Sequence, residues 1–132
     1  MKLEDFQGFW EIPGARPDTT DYLHFTAEGY MLNLVDSGNG PKDRWVSLWY
    51  SCQWNEQDEL IVRHRDRAST EQGLTFQWAD ADTLVIRQAK ISLFEWRYKR
   101  VPWTTMPAAL EKAYVEGLRR IAADQSGKTP FA

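Results

Sequence analysis

A chain of 132 residues is long enough for one domain and too short for two ordinary ones. Its 42% hydrophobic and 27% charged residues give the balance of a folded globular chain and exclude disorder, while a net charge of −3 offers nucleic acid or an anionic membrane no global attraction. One cysteine, Cys52, excludes an intramolecular disulfide and fits a reducing compartment.

The N-terminal run Met1-Lys2-Leu3-Glu4-Asp5-Phe6 carries two acids and lacks the apolar stretch of a secretory signal. No apolar run approaches the roughly 20 residues of a membrane helix. The expected location is therefore the cytoplasm, with no membrane span.

From there the chain alternates with period two between short turn signals, the pattern of an antiparallel meander. Gly8-Phe9-Trp10-Glu11-Ile12 reads as a first strand, stopped by Pro13-Gly14 and a polar loop through Asp21. Residues 22–27 read as a second strand with Leu23 and Phe25 on one face, and Glu28-Gly29 turns it into a third, 30–35, where Tyr30, Leu32 and Leu34 share a face. The breakers Gly38-Asn39-Gly40-Pro41 lead to a long strand, 44–54, with Val46, Leu48, Tyr50, Cys52 and Trp54 on one side and Trp45, Ser47, Trp49, Ser51 and Gln53 on the other.

Residues 59–65 form the next strand, with Leu60, Val62 and His64 alternating against Ile61, Arg63 and Arg65. A loop is expected over 66–73. Leu74, Phe76 and Trp78 mark a sixth strand, Leu84 and Ile86 a seventh, and 92–101 an eighth, with Phe94, Trp96 and Tyr98 opposite Glu95, Arg97 and Lys99. Pro102 ends the sheet pattern. Thr104 or Thr105 is suited to cap the helix that follows, and Pro107 suits its first turn. Leu110, Ala113, Tyr114, Gly117, Leu118 and Ile121 then form one apolar stripe, with Glu111, Lys112, Glu116, Arg119 and Arg120 on the polar side.

The expected fold is mainly β: an eight-stranded antiparallel up-and-down barrel over about 6–101, with one C-terminal amphipathic α-helix over about 106–123. A single domain spans 1–124, and 125–132 form a flexible tail.

Gly8-Phe9-Trp10, Leu23-His24-Phe25-Thr26-Ala27-Glu28-Gly29, the strand starts Asp58-Glu59-Leu60-Ile61-Val62 and Asp82-Thr83-Leu84-Val85-Ile86, and the closing Glu95-Trp96-Arg97-Tyr98-Lys99-Arg100-Val101 together resemble the small bacterial lipocalin-like domains of the calycin group. The resemblance covers about 6–101. It implies a barrel that binds a small molecule without catalysis, and a basic side chain of the last strand, Arg97 or Lys99, packed over Trp10 as a cation–π pair.

The chemistry-bearing residues give no catalytic constellation and no metal site. His24 and His64 are forty residues apart with no second ligand at zinc spacing, and no cofactor is indicated. His24 is expected at the surface. His64 is expected to point into the barrel, as a satisfied core residue, a group that orients a ligand, or a haem ligand. Cys52 sits on an apolar face with no basic neighbour and reads as inert core. Gly38-Asn39-Gly40 precedes a proline and no helix, so it is no phosphate loop. Arg63, Arg65 and Arg67 form a local basic cluster that is a solvated strand face, an anion site at the rim or a contact for an acidic partner; flanking acids such as Glu71 favour the first.

Three functions follow, the last of them an enzyme or haem protein centred on His64. In the first, the barrel binds a small hydrophobic molecule non-catalytically, with Tyr50, Cys52, His64, Trp78 and Trp96 as its wall and Tyr98 near one end. In the second, a filled barrel is a protein-interaction module or homodimer that uses the Trp45/Trp49 face, Arg63 and Arg65, or the helix.

Overall fold

The computed structural model of the protein describes residues 3–13, 20–36, 44–64, 71–89, 95–101 and 106–126. A short 3-10 helix, Leu3–Phe6, leads into eight strands: β1 (Gly8–Pro13), β2 (Thr20–Phe25), β3 (Tyr30–Asp36), β4 (Trp45–Trp54), β5 (Leu60–His64), β6 (Glu71–Asp80), β7 (Thr83–Gln88) and β8 (Glu95–Val101). The helix α1 (Ala108–Gln125) follows. Each strand pairs antiparallel with the next, and β1 pairs with β8 through Phe9↔Val101, Trp10↔Arg100 and Glu11↔Lys99, so the sheet closes into an up-and-down barrel. Closure leaves no sheet edge open to pair with another chain.

Parity decides what lies inside. Trp10, Leu23, Phe25, Met31, Leu60, Val62, Leu74, Phe76, Leu84 and Ile86 form one buried core with Phe6, and Tyr50, Cys52, Trp54, Trp96 and Tyr98 pack against it. A second cluster lies outside the barrel wall, where Tyr30, Leu32, Leu34 and Trp49 meet Leu110, Ala113 and Ile121 of α1. The period-two face Tyr30-Leu32-Leu34 is thus the outer face of β3, buried by the helix, while Met31 faces the interior. Gly117 lets the helix approach closely: a Cβ there would stand 2.5 Å from Leu32 Cδ1 and 3.1 Å from Ser47 Cβ. The Tyr30 hydroxyl donates to Asp124 Oδ2 at 2.6 Å, fixing the far end of the helix to the same strand.

Several sequence expectations change at element ends. Residues 71–73, expected in a loop, extend β6 and pair with β5 through Ile61↔Gly73 and Arg63↔Glu71. Pro107 is the N-cap residue, with ψ 135° and no side-chain cap hydrogen bond, rather than a first-turn residue. Thr104, Thr105, Phe94, Arg65, Arg67 and residues 127–132 lie outside the described residues. The Leu3–Phe6 helix has no period-two or extended apolar signature in the sequence, and it proves central to how the barrel is filled.

Candidate functional site

The two ends of the barrel differ. At one end the chain passes between strands by three tight turns, at 26–29, 55–59 and 81–82. Gly29 adopts φ +95°, which a non-glycine residue rarely takes, and Cys52 N–H donates to its carbonyl at 2.9 Å. Asn55 Oδ1 accepts from the backbone N–H groups of Gln57 and Glu59 at 3.0 and 2.9 Å and so shapes the second turn.

This end is plugged with rings. Phe6 is fully buried, with its ring centre 4.9 Å from Phe76, 6.1 Å from Phe25, 6.1 Å from Trp54 and 5.4 Å from Trp78, the last in a stacked arrangement. Trp10 Nε1–H donates to Phe6 O at 2.8 Å, which holds the plug to the first strand. Arg100 lies over Trp10 at 4.3 Å and over Trp78 at 6.0 Å. The basic side chain that covers Trp10 is therefore Arg100, not Arg97 or Lys99. Arg100 pairs with Trp10 in register and shares the inward face of Trp96 and Tyr98, whereas Arg97 points outward and pairs with Glu95.

The other end is hollow. A cavity of about 390 Å³ is lined by Ile12, Asp21, Leu23, Met31, Asn33, Tyr50, Gln72, Leu74, Ile86, Gln88, Trp96 and Tyr98. Its lining mixes aliphatic and aromatic side chains with polar ones: Asp21, Gln72 and Gln88 stand near strand ends, and Asn33 lies mid-strand opposite Leu23. Gln88 Nε2 donates to Gln72 Oε1 at 2.7 Å. Asn33 Oδ1 is shut off from solvent and has no hydrogen-bond partner among the described residues. Burial, then the Asp36 carboxylate, raises the pKa of Asp21. Burial, then Asp21, then Tyr50, pushes the Tyr98 hydroxyl up to about 12, and burial also raises Tyr50. Both phenols hold their protons at neutral pH.

Of the residues expected in the wall, Tyr50, Trp96 and Tyr98 border this cavity. Trp78 does not. It shares the inward parity but sits at the plugged end, 36% exposed, stacked on the outer side of Phe6. Cys52 lies one inward position nearer the plug than Tyr50 and packs against the core, where burial pushes its thiol up to about 12. His64 faces inward beside Tyr50, its ring edge-on at 5.0 Å, without bordering the cavity. Reasoning from the sequence missed Asp21 and Asn33. Asp21 is two residues before Leu23 and Asn33 two after Met31, so extending inward parity past the apolar positions identifies both.

The outer-face candidates also resolve. Trp49, expected to be covered either by the Leu110–Ile121 stripe or by an interface, is 3% exposed because α1 lies across it, leaving no area to offer a partner. Trp45 packs beside Tyr22 at 5.7 Å, with Arg44 over its ring at 5.2 Å. Arg63 donates through Nε and Nη2 to Glu71 Oε2, so its charge is matched on the barrel surface. Arg65 lies outside the described residues. His24, expected at the surface, points outward but is covered: its ring stacks on Phe9 at 4.4 Å, meets Tyr114 of α1 at 5.6 Å, and donates Nδ1–H to Gly8 O at 2.8 Å.

No protein-family model and no curated protein matches the sequence. Among the described residues, no helix is long and apolar enough to cross a membrane.

Proposed function

We propose that the protein is a lipocalin-like carrier that holds one small, largely apolar molecule in the open half of its barrel, without catalysing its conversion. The observation that carries this reading is the division of the interior: rings fill one half, and the other keeps about 390 Å³ walled by Leu23, Leu74, Ile86, Tyr50, Trp96 and Tyr98. That volume lies in the range of small-molecule sites. An eight-stranded barrel is wide enough either to be filled by side chains or to hold one such ligand. Tyr98 and Tyr50 keep their protons and Cys52 its hydrogen, so none of them is a ready nucleophile or base at neutral pH. The packed free thiol also fits a reducing compartment such as the cytoplasm.

The competing role, a partner-binding module built on the Trp45/Trp49 face, loses support because α1 occupies that face and turns Glu111, Lys112, Glu116, Arg119 and Arg120 to solvent. Titration with the neutral dye N-phenyl-1-naphthylamine, alongside native mass spectrometry of freshly purified protein, tests the carrier reading. One dye per chain, displaced by small apolar molecules, is expected. Folded protein that neither enhances dye emission nor carries a co-purified species would refute it.

A further inference from the structure

The polar groups of the cavity are unevenly matched in charge. Among the described residues, Asp21 is the one carboxylic acid in the lining, and no lysine, arginine or histidine lines the cavity with it. The neighbouring charge that acts on Asp21 is a second carboxylate, Asp36, which is itself engaged by Arg44 at 3.0 Å. The amide pair Gln72–Gln88 is already joined. Among the described residues the lining therefore carries negative charge in excess, and the rings of Tyr50, Trp96 and Tyr98 line the same space.

An anionic head group placed here would meet a carboxylate that no cation among the described lining residues offsets, and both would lose water on entering. A protonated amine meets the opposite conditions. It donates up to three hydrogen bonds, gains a charge-assisted contact with a carboxylate, and is attracted to aromatic faces. Resting on the carrier reading above, we infer that the cavity selects apolar molecules ending in a protonated amine, with Asp21 as the residue that recognises the cation.

The closing experiment compares n-octylamine, n-octanol and n-octanoate, which share one apolar body and differ at the head, by calorimetric titration of the wild-type protein and of Asp21→Asn at neutral pH. The amine is expected to bind roughly tenfold more tightly than the alcohol, the scale of one charge-assisted hydrogen bond, and the carboxylate most weakly. In Asp21→Asn the amine's advantage disappears while octanol affinity holds, which also reports that the cavity is intact. Octanoate binding as well as octylamine, equal affinities for all three, or an amine preference that survives Asp21→Asn would overturn this inference and leave the carrier reading standing. Failure of all three to bind folded wild-type protein would instead overturn both.

Discussion

The guanidinium of Arg100 stands 4.3 Å from the centre of the Trp10 ring and clamps the last strand across the first. Its Nη1 donates to Gln7 O at 2.9 Å, and its Nε lies 3.5 Å from Asp82 Oδ1, so one side chain ties β8, the entry to β1 and the β6–β7 turn together at the plugged end. A cation–π contact of this kind contributes on the order of 0.5–2 kcal/mol, and a hydrogen bond from a charged donor about 1.5–3. Because the group is partly exposed, the total falls toward the lower sums. Arg100→Ala is expected to cost about 2 kcal/mol in urea denaturation, and Arg100→Lys more than half of that, because a lysine loses the planar stack. A midpoint unchanged by Arg100→Ala would show that the clamp adds nothing.

Phe6 gives the second prediction. It is fully buried and touches four rings, so Phe6→Ala removes the centre of the plug and leaves a void that rigid neighbours fill only in part. The expected cost is about 3–5 kcal/mol. Trp78, which stacks on Phe6, gains solvent contact, so native tryptophan emission shifts to the red. A loss of stability without that shift would contradict the stacked arrangement.

Much of this architecture was legible because strand parity is a local property. The alternation of Leu60, Val62 and His64, or of Tyr50, Cys52 and Trp54, states which face is inward without reference to the rest of the chain. The same parity places Arg100, with Trp96 and Tyr98, on the inward face, so the pairing with Trp10 was available in principle; Arg97 and Lys99 point the wrong way. Local pattern could not tell which face of β3 is core, since α1 buries its outer face as fully as the barrel buries its inner one. Nor could it tell which end is hollow. That depends on Phe6 entering from a 3-10 turn, a non-local event with no periodic signature.

Gly117 supplies a third test. The close approach of α1 to β3 leaves no room for a side chain, and the nearest atom belongs to Leu32, which is itself fully buried. Alanine is the better helix former by about 1 kcal/mol, so Gly117→Ala sets that gain against the shift forced on Leu32. Valine adds bulk with no comparable gain. Gly117→Val is expected to destabilise by about 1–3 kcal/mol, in the range of overpacked cores, and to do so by more than Gly117→Ala. Equal thermal midpoints for both variants and the parent would show that the helix stands further from the sheet.

His24 makes stability depend on pH. Burial between Phe9 and Tyr114 lowers its pKa, more than the Gly8 carbonyl and the Glu28 carboxylate raise it. The unfolded chain then binds a proton at higher pH than the folded one. Stability is full above the unfolded value of about 6.5 and erodes as pH falls from there toward the lower folded value. Urea midpoints are expected to fall between pH 7.5 and 5.5, and His24→Gln to flatten that slope while lowering the plateau, because its ring contacts are lost. The same slope in the variant would assign the effect to another group.

The carboxylate at the mouth predicts the opposite effect of a substitution. Asp21 is held above its ordinary pKa by burial and by Asp36, so near neutral pH its ionised form disfavours the folded state. The sign follows from proton counts: as pH rises past about 3.8, the unfolded chain releases this proton before the folded one does, and stability declines until the folded pKa is passed. Asp21→Asn removes the charge at nearly constant shape and is expected to raise the thermal midpoint at pH 7 while leaving it unchanged near pH 3, where both forms are neutral. A lower midpoint for Asp21→Asn at pH 7 would show instead that the carboxylate braces the barrel mouth.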